Sequence, residues 1–269
     1  MNERFAADWL SLREPADHAA RSHPLLERLR GAWCSGREPL RIVDLGSGTG
    51  SNLRYLAPRL PAPQHWRLVD HDPELLGRVR PPATAGRLSL RTEQADLRDW
   101  ELPATGTDLV TASALLDLVS ADWLGRLVRA CAGHGAAALL VLSYDGDVTW
   151  TVPDPGDAFV RAAVNAHQER DKGLGAALGP RATTEAATRF REAGYRVWIE
   201  PSPWHLDSGS LPLARQLIAG WINAAEEAFP EQAGTLRAWG ARRLEDLRSG
   251  RTRLQVGHRD LLALPDAPR

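Results

Sequence analysis

The sequence predicts a doubly wound α/β fold around a mostly parallel sheet, and three stretches predict it. The first is Arg41-Ile-Val-Asp-Leu-Gly-Ser-Gly-Thr-Gly50, a short apolar strand that ends in an acid and runs into a glycine-dense bend, with a helix following from about Ser51. The second is Trp66-Arg-Leu-Val-Asp-His-Asp72, again a strand closed by an acid. The third is the run from Ala136 to Tyr144, almost wholly apolar, as a parallel strand covered on both faces should read.

The remaining elements follow in chain order. Residues 1–36 read as helices: Phe5, Trp9, Leu10 and Leu12 share one apolar face, and residues 17–29 form a second amphipathic segment. After the second strand, Asp72-Pro73-Glu74 opens a helix with an N-cap and a first-turn proline. Residues 88–97 alternate as a strand ending in Ala-Asp-Leu, and residues 107–119 hold a buried one. Beyond Tyr144 the pattern breaks, and residues 145–157 are rich in turn formers. A helix is expected over 158–170, a glycine-bearing loop over 173–180, and a crossover helix over 183–193 with Gly194 as its C-cap. A strand follows at 195–200, then helices at 211–229 and 231–248, then a strand at 252–256 that resumes near 261–264. These elements make one structural domain: a helical cap (1–36), a ligand-binding core (37–150), an insertion forming a lid over the acceptor (151–182), and the remainder of the core (183–269) with a helical pair inserted at about 211–249.

The glycine bend carries the chemistry. Gly46, Gly48 and Gly50 allow a tight turn and close approach of a ligand, because no Cβ stands in the way. The bend also offers N–H groups at a helix N-terminus, where an anion is welcome. A phosphate-cradling loop needs Gly-Lys-Ser/Thr at its end, and no lysine stands here. A dinucleotide fingerprint places a third glycine where this chain has Ser51.

What stands here, D-x-G-x-G-x-G, resembles the first motif of class I S-adenosylmethionine (SAM) methyltransferases, and the acids at the later strand ends follow in the matching order. The resemblance covers residues 37–150 well and the rest loosely. It implies a Rossmann-like sheet of seven strands whose last is antiparallel. It also implies SAM as cofactor and S-adenosylhomocysteine as product, bound in a site without a phosphate. Asp44 would face the ammonium and sulfonium, and Gly46, Ser47, Gly48, Gly50 and Asn52 would surround the amino-acid tail. Asp70, with His71 beside it, would meet the ribose hydroxyls. Asp96 and Leu97 would edge the adenine, and Ser113 would lie at the crevice. From the N-terminal cap, Arg21 or Arg13 would reach the tail carboxylate.

The acceptor should sit over the ends of the fourth and fifth strands, near Ser113, Asp117, Tyr144 and Asp145. Residues 165–173 would form its roof. On a continuous helix His167 and Asp171 share a face, a spacing suited to a general base with its imidazole fixed by a carboxylate. Lys172, the only lysine in a chain that otherwise uses arginine, completes the catalytic candidates with His167, Asp171 and Tyr144. After the fourth strand stands Thr111-Ala-Ser-Ala114, without the Pro-Pro-Tyr or Pro-Cys of enzymes that methylate nucleobases. No metal site is expected.

Composition bounds the partners. The 269 residues carry a formal net charge of −1, with arginines and acids interspersed, so no basic stripe offers itself to nucleic acid. Two cysteines, Cys34 and Cys131, are too few for a disulfide framework. Neither a membrane span nor a signal segment is evident, and a cytoplasmic small-molecule enzyme is expected. The rival readings are a different transfer on the same fold, such as aminopropyl transfer from decarboxylated SAM, a non-catalytic SAM- or nucleoside-binding subunit, and a methyltransferase for RNA or protein. The sequence leaves the oligomeric state, monomer or homodimer, open.

Overall fold

The computed structural model describes residues 6–83, 87–102 and 106–266. Phe5 of the N-terminal apolar face lies outside them. Two helices come first, α1 (Ala7–Ala20) and α2 (His23–Leu29). The core follows as β1 (Leu40–Leu45), α3 (Ser51–Leu56), β2 (Gln64–Asp70), α4 (Pro73–Gly77), β3 (Leu88–Gln94), β4 (Leu109–Ser113), α5 (Ala121–His134) and β5 (Ala137–Trp150). The second half runs α6 (Asp157–Gln168), α7 (Ala182–Glu192), β6 (Tyr195–Pro201), β7 (Trp204–Leu206), α8 (Leu211–Ala228), α9 (Ala233–Arg248) and β8 (Leu254–Pro265).

The strands join in the order β3-β2-β1-β4-β5-β8-β6, with β7 pairing off this path to β8. Pairings from β3 through β5 are parallel, and β8 runs antiparallel to β5, β6 and β7. The seven-strand path with an antiparallel last strand is thus as expected, and β7 is an addition. The order reverses at β1, so the crevice beyond the ends of β1 and β4 is where such folds bind ligands.

Local chemistry sets the element ends. Ser120 caps α5 by accepting from Trp123 N at 3.3 Å, and Gly135 ends it with φ of 60°. Asp72 accepts from Glu74 N at 2.9 Å, which makes it the cap of α4.

The apolar residues form three clusters. One face of the sheet packs Leu45, Val110 and Leu140 against Leu124, Val128 and Phe190 of α5 and α7. The other face packs Ile42, Trp66 and Leu139 with Leu25, Leu29 and Leu56. A third cluster lies under the helical pair, where Trp204, Trp221 and Trp239 meet Val160, Ile218 and Leu254. Those tryptophans are core residues, and none of the three lines the crevice described below.

Two expectations differ from the structure. β5 does not stop near Tyr144 but continues through Asp-Gly-Asp to Trp150, because β8 pairs with it along this extension after register steps between Leu140 and Ser143 and between Tyr144 and Val148. A long-range ladder here overrides the local turn preference of the sequence. For the same reason β8 is one strand where the sequence suggested two.

Candidate cofactor and acceptor site

The bend at the end of β1 is built as its composition requires. Gly46 and Gly48 have φ of 62° and 53°, a region that side chains rarely adopt. A Cβ on Gly48 would also lie 3.1 Å from Leu10 Cδ1, so α1 closes over the bend at van der Waals distance. Gly48 N donates to Asp70 Oδ2 at 2.8 Å, and Asp72 N donates to Asp70 Oδ1 at 2.9 Å. Asp70 therefore locks bend and second strand together. Each carboxylate oxygen retains a second lone pair for another donor.

Behind the bend lies a buried polar chain. Asn52 Nδ2 donates to Asp44 Oδ1 at 2.8 Å and to Thr111 Oγ1 at 3.1 Å, and Thr111 Oγ1 donates to Leu139 O at 2.8 Å. Asn52 Oδ1 accepts from Arg21 Nη1 at 2.8 Å. Asp44 is fully buried, and its Oδ2 has no hydrogen-bond partner. Burial pushes its pKa up to about 7, against the lowering influence of Asn52 and Arg21 and with a further rise from Asp70.

An open cavity of about 1120 Å³, counting its mouth, lies over these groups. Of the expected cofactor residues, Asp44, Gly46, Ser47, Gly48, Asn52, Asp70, His71, Leu97 and Ser113 line it. Gly50 does not: it leads into α3 behind the wall. The opposite side is formed by Leu10, Arg13 and Asp17 of α1 and by Lys172 and Leu174. Asp17, Leu115, Leu118 and Leu174 were not anticipated. Nothing local marks Asp17 and Leu174, which reach the cavity through the packing of α1 and of the 172–174 segment onto the sheet, whereas Leu115 and Leu118 follow directly on the end of β4.

Several expected residues stand elsewhere. Arg21 is buried beneath the cavity wall instead of lining it, with Asp260 Oδ2 at 3.7 Å and the Tyr55 ring at 4.5 Å. Asp96 lies outside the lining, and its oxygens accept from the backbone and guanidinium of Arg98. Tyr144 also lies outside the lining: its hydroxyl donates to Asn165 Oδ1 at 2.8 Å, and burial raises its pKa further above the phenol range. The His167–Asp171 pair does not form, because α6 ends at Gln168. Asp171 instead accepts from Gly173 N and Gly175 N. His167 has Nε2 at 3.4 Å from Glu227 Oε2 and Nδ1 at 3.2 Å from Lys172 Nζ. Of the four catalytic candidates, only Lys172 lines the cavity.

The residues present fit a cationic, phosphate-free ligand. A buried carboxylate oxygen without a partner faces a need for a donor, as does the unpartnered Ser47 Oγ beside it. The glycine cradle is space that side chains would fill. Asp44 and Ser47 would hold an ammonium-bearing tail, Asp70 the ribose hydroxyls, and Leu97 the face of the base. Among the described residues, no group of three or more His, Cys, Asp or Glu is arranged to hold a metal ion, and no helix is long and apolar enough to cross a membrane.

Comparison with known proteins agrees with this geometry. A family model described as a methyltransferase domain matches residues 42–136. A trans-aconitate 2-methyltransferase from Streptomyces avermitilis is 38% identical over 108 residues, 39% of this chain and 38% of that protein. One from Mycolicibacterium gilvum is 34% identical over 121 residues, 42% of each chain. The match thus spans about two fifths of the length of these relatives. Among solved structures, the YcgJ protein from Bacillus subtilis superposes with a TM-score of 0.51 at 15% identity, covering 92% of this chain and all of that one. A cyclopropane synthase from Mycobacterium tuberculosis gives 0.50 at 11% identity, covering 96% and 94%. Residues 42–136, which hold the acid-led glycine bend, thus match a methyltransferase domain, and the solved structures share the fold.

Proposed function

We propose that the protein transfers a methyl group from SAM to a small-molecule acceptor. The observation that carries this reading is the orphaned Asp44 oxygen at the floor of a cavity walled by the glycine bend. When bound, SAM supplies an electrophilic methyl on a sulfonium. The protein's part is to bind, orient and exclude water, which can contribute several kcal/mol through positioning alone.

The acceptor would enter between α1 and the 172–174 segment, where Leu10, Arg13, Asp17, Lys172 and Leu174 face the cavity. Arg13 is held by Asp17 through Nε–Oδ2 at 2.9 Å and Nη2–Oδ1 at 3.2 Å, so its fork is fixed rather than free to swing. Lys172 is the charged group on the opposite side. A compact acceptor suits this arrangement better than RNA or protein, because α1 closes over the bend. Acceptors that arrive already ionised need no base. Relatives named trans-aconitate 2-methyltransferase support a small acid as the first acceptor to try.

The test is release of S-adenosylhomocysteine from SAM in the presence of trans-aconitate and a panel of small acids, amines and phenols. Acceptor-dependent release supports the reading. Tight binding of S-adenosylhomocysteine with no release across a broad panel supports the non-catalytic alternative, and no binding at all sinks both.

A further inference from the structure

We propose that Arg21 is a positioning residue, which acts from behind the cavity wall through Asn52 to hold the Asp44 carboxylate ready for a cationic ligand. This rests on the SAM-binding reading above and assigns a role to a residue that does not itself face the ligand space.

The polarity of the chain carries the argument. A guanidinium donates only, so the atom that Asn52 turns to Arg21 Nη1 at 2.8 Å must be its oxygen. The amide nitrogen is then forced to the other side, where it donates to Asp44 Oδ1 and Thr111 Oγ1. Thr111 has its own proton committed to Leu139 O, so it cannot reverse the arrangement. The consequence is that Asp44 Oδ1 is saturated from behind while Oδ2 is left without a partner.

Arg21 is in turn fixed. Asp260 sits at 3.7 Å on one side, and the Tyr55 ring lies 4.5 Å from the guanidinium carbon. Asp260 is held by Ser22 N at 2.9 Å and Leu142 N at 2.8 Å. A charge this deeply buried is a costly way to fill space, and a leucine would serve packing alone. The groups around Asp44 that carry or can carry charge are Arg21 and Asp260 behind it, Asp70 from β2, Arg13 and Asp17 from α1, and His71 and Lys172 across the cavity. Of these, Arg21 is the cation that favours ionised Asp44.

The experiment is calorimetric titration of the full chain with S-adenosylhomocysteine from pH 5.5 to 8, on wild type, Arg21→Gln and Arg21→Lys. Wild-type affinity is expected to rise with pH and to be about tenfold weaker at pH 6 than at the plateau, as one carboxylate titrating near neutrality requires. Arg21→Gln is expected to move the midpoint upward by about half a pH unit or more, and Arg21→Lys to restore it. A uniform loss of affinity with the wild-type midpoint overturns the proposal, and so does a wild type whose affinity is flat across the range. If wild type binds no S-adenosylhomocysteine at all, the SAM reading fails separately. The Arg21 proposal is then decided on ligand-free protein, by unfolding across the same pH range. Arg21→Gln should extend to higher pH the range over which stability falls, and an unchanged range overturns it.

Discussion

The sheet half around β1 and β2 and the half around β5 and β8 both bury charge, and they treat it in opposite ways. Under the helical pair, Arg243 is fully buried and fully partnered: it bonds both oxygens of Asp157 and donates to Val152 O at 2.9 Å, with its guanidinium 4.5 Å from the Trp150 ring. Trp239 Nε1 donates to the same Asp157 at 3.0 Å. At the glycine bend, Asp44 is equally buried, yet one oxygen has no partner. A satisfied buried network specifies a fold, whereas an unsatisfied one beside a cavity waits for a ligand. The first region is therefore expected to answer mutation in stability and the second in binding.

The largest effect should come from Arg243→Met. It leaves Asp157 without its cation and should cost about 3–5 kcal/mol in urea unfolding, the range for a broken buried pair. Affinity for S-adenosylhomocysteine in the folded fraction should stay unchanged, and a large loss of affinity would merge the two regions.

Next in size is a pair of opposing pH effects. Asp44 has its folded pKa raised to about 7, so the folded state holds the extra proton, and its contribution to stability falls as pH rises from the unfolded carboxylate range to about 7. His258, in the second region, is buried against Trp204 and Tyr144, with Nδ1 at 3.1 Å from Val256 O. Burial, helped by Arg13, lowers its pKa to about 3, so its contribution rises with pH between about 3 and the unfolded imidazole value. The two slopes oppose each other, each on the order of 2–4 kcal/mol over its window. In ligand-free protein, Asp44→Asn should leave a stability that rises with pH over pH 4–6.5, and His258→Gln one that falls. Parallel curves for the two variants would refute this assignment.

Gly48→Val should come third. The new side chain needs an unfavourable φ and meets Leu10, so affinity for S-adenosylhomocysteine should fall by roughly 30-fold or more, from strain of about 2 kcal/mol. Unchanged binding would remove the bend from the site. Smallest, and confined to the acceptor side, is Lys172→Met: kcat/KM for the acceptor should fall about tenfold while affinity for S-adenosylhomocysteine moves less than about threefold. An equal loss of both would place Lys172 on the cofactor instead.

The bend was legible because its chemistry is local. Glycines that need positive φ, an acid at the ends of β1 and β2, and Asp72 capping its helix all announce themselves within a few residues. What the sequence hid is held by partners far along the chain. β7 is three residues after two prolines and exists only because β8 offers an edge. The extension of β5 looked like a turn for the same reason. Arg21 was expected at the ligand because the N-terminal helices of the family the sequence resembles often cap the cofactor. Its actual partner Asp260 lies near the other end of the chain, and no local pattern encodes that meeting. His167 and Asp171 have the right spacing for a helix face, but α6 stops between them, and two glycine N–H groups claim the aspartate.

The contact between Arg21 and Asp260 also fixes an order of events. The bend and its acid emerge early during synthesis, but the carboxylate that anchors the guanidinium belongs to the final strand. A nascent chain still missing that strand would have the cradle without its rear brace. If Arg21 acts as proposed, ligand capture is tied to completion of the sheet, and a product truncated ahead of Leu254 would be recognisable by its failure to hold the nucleoside.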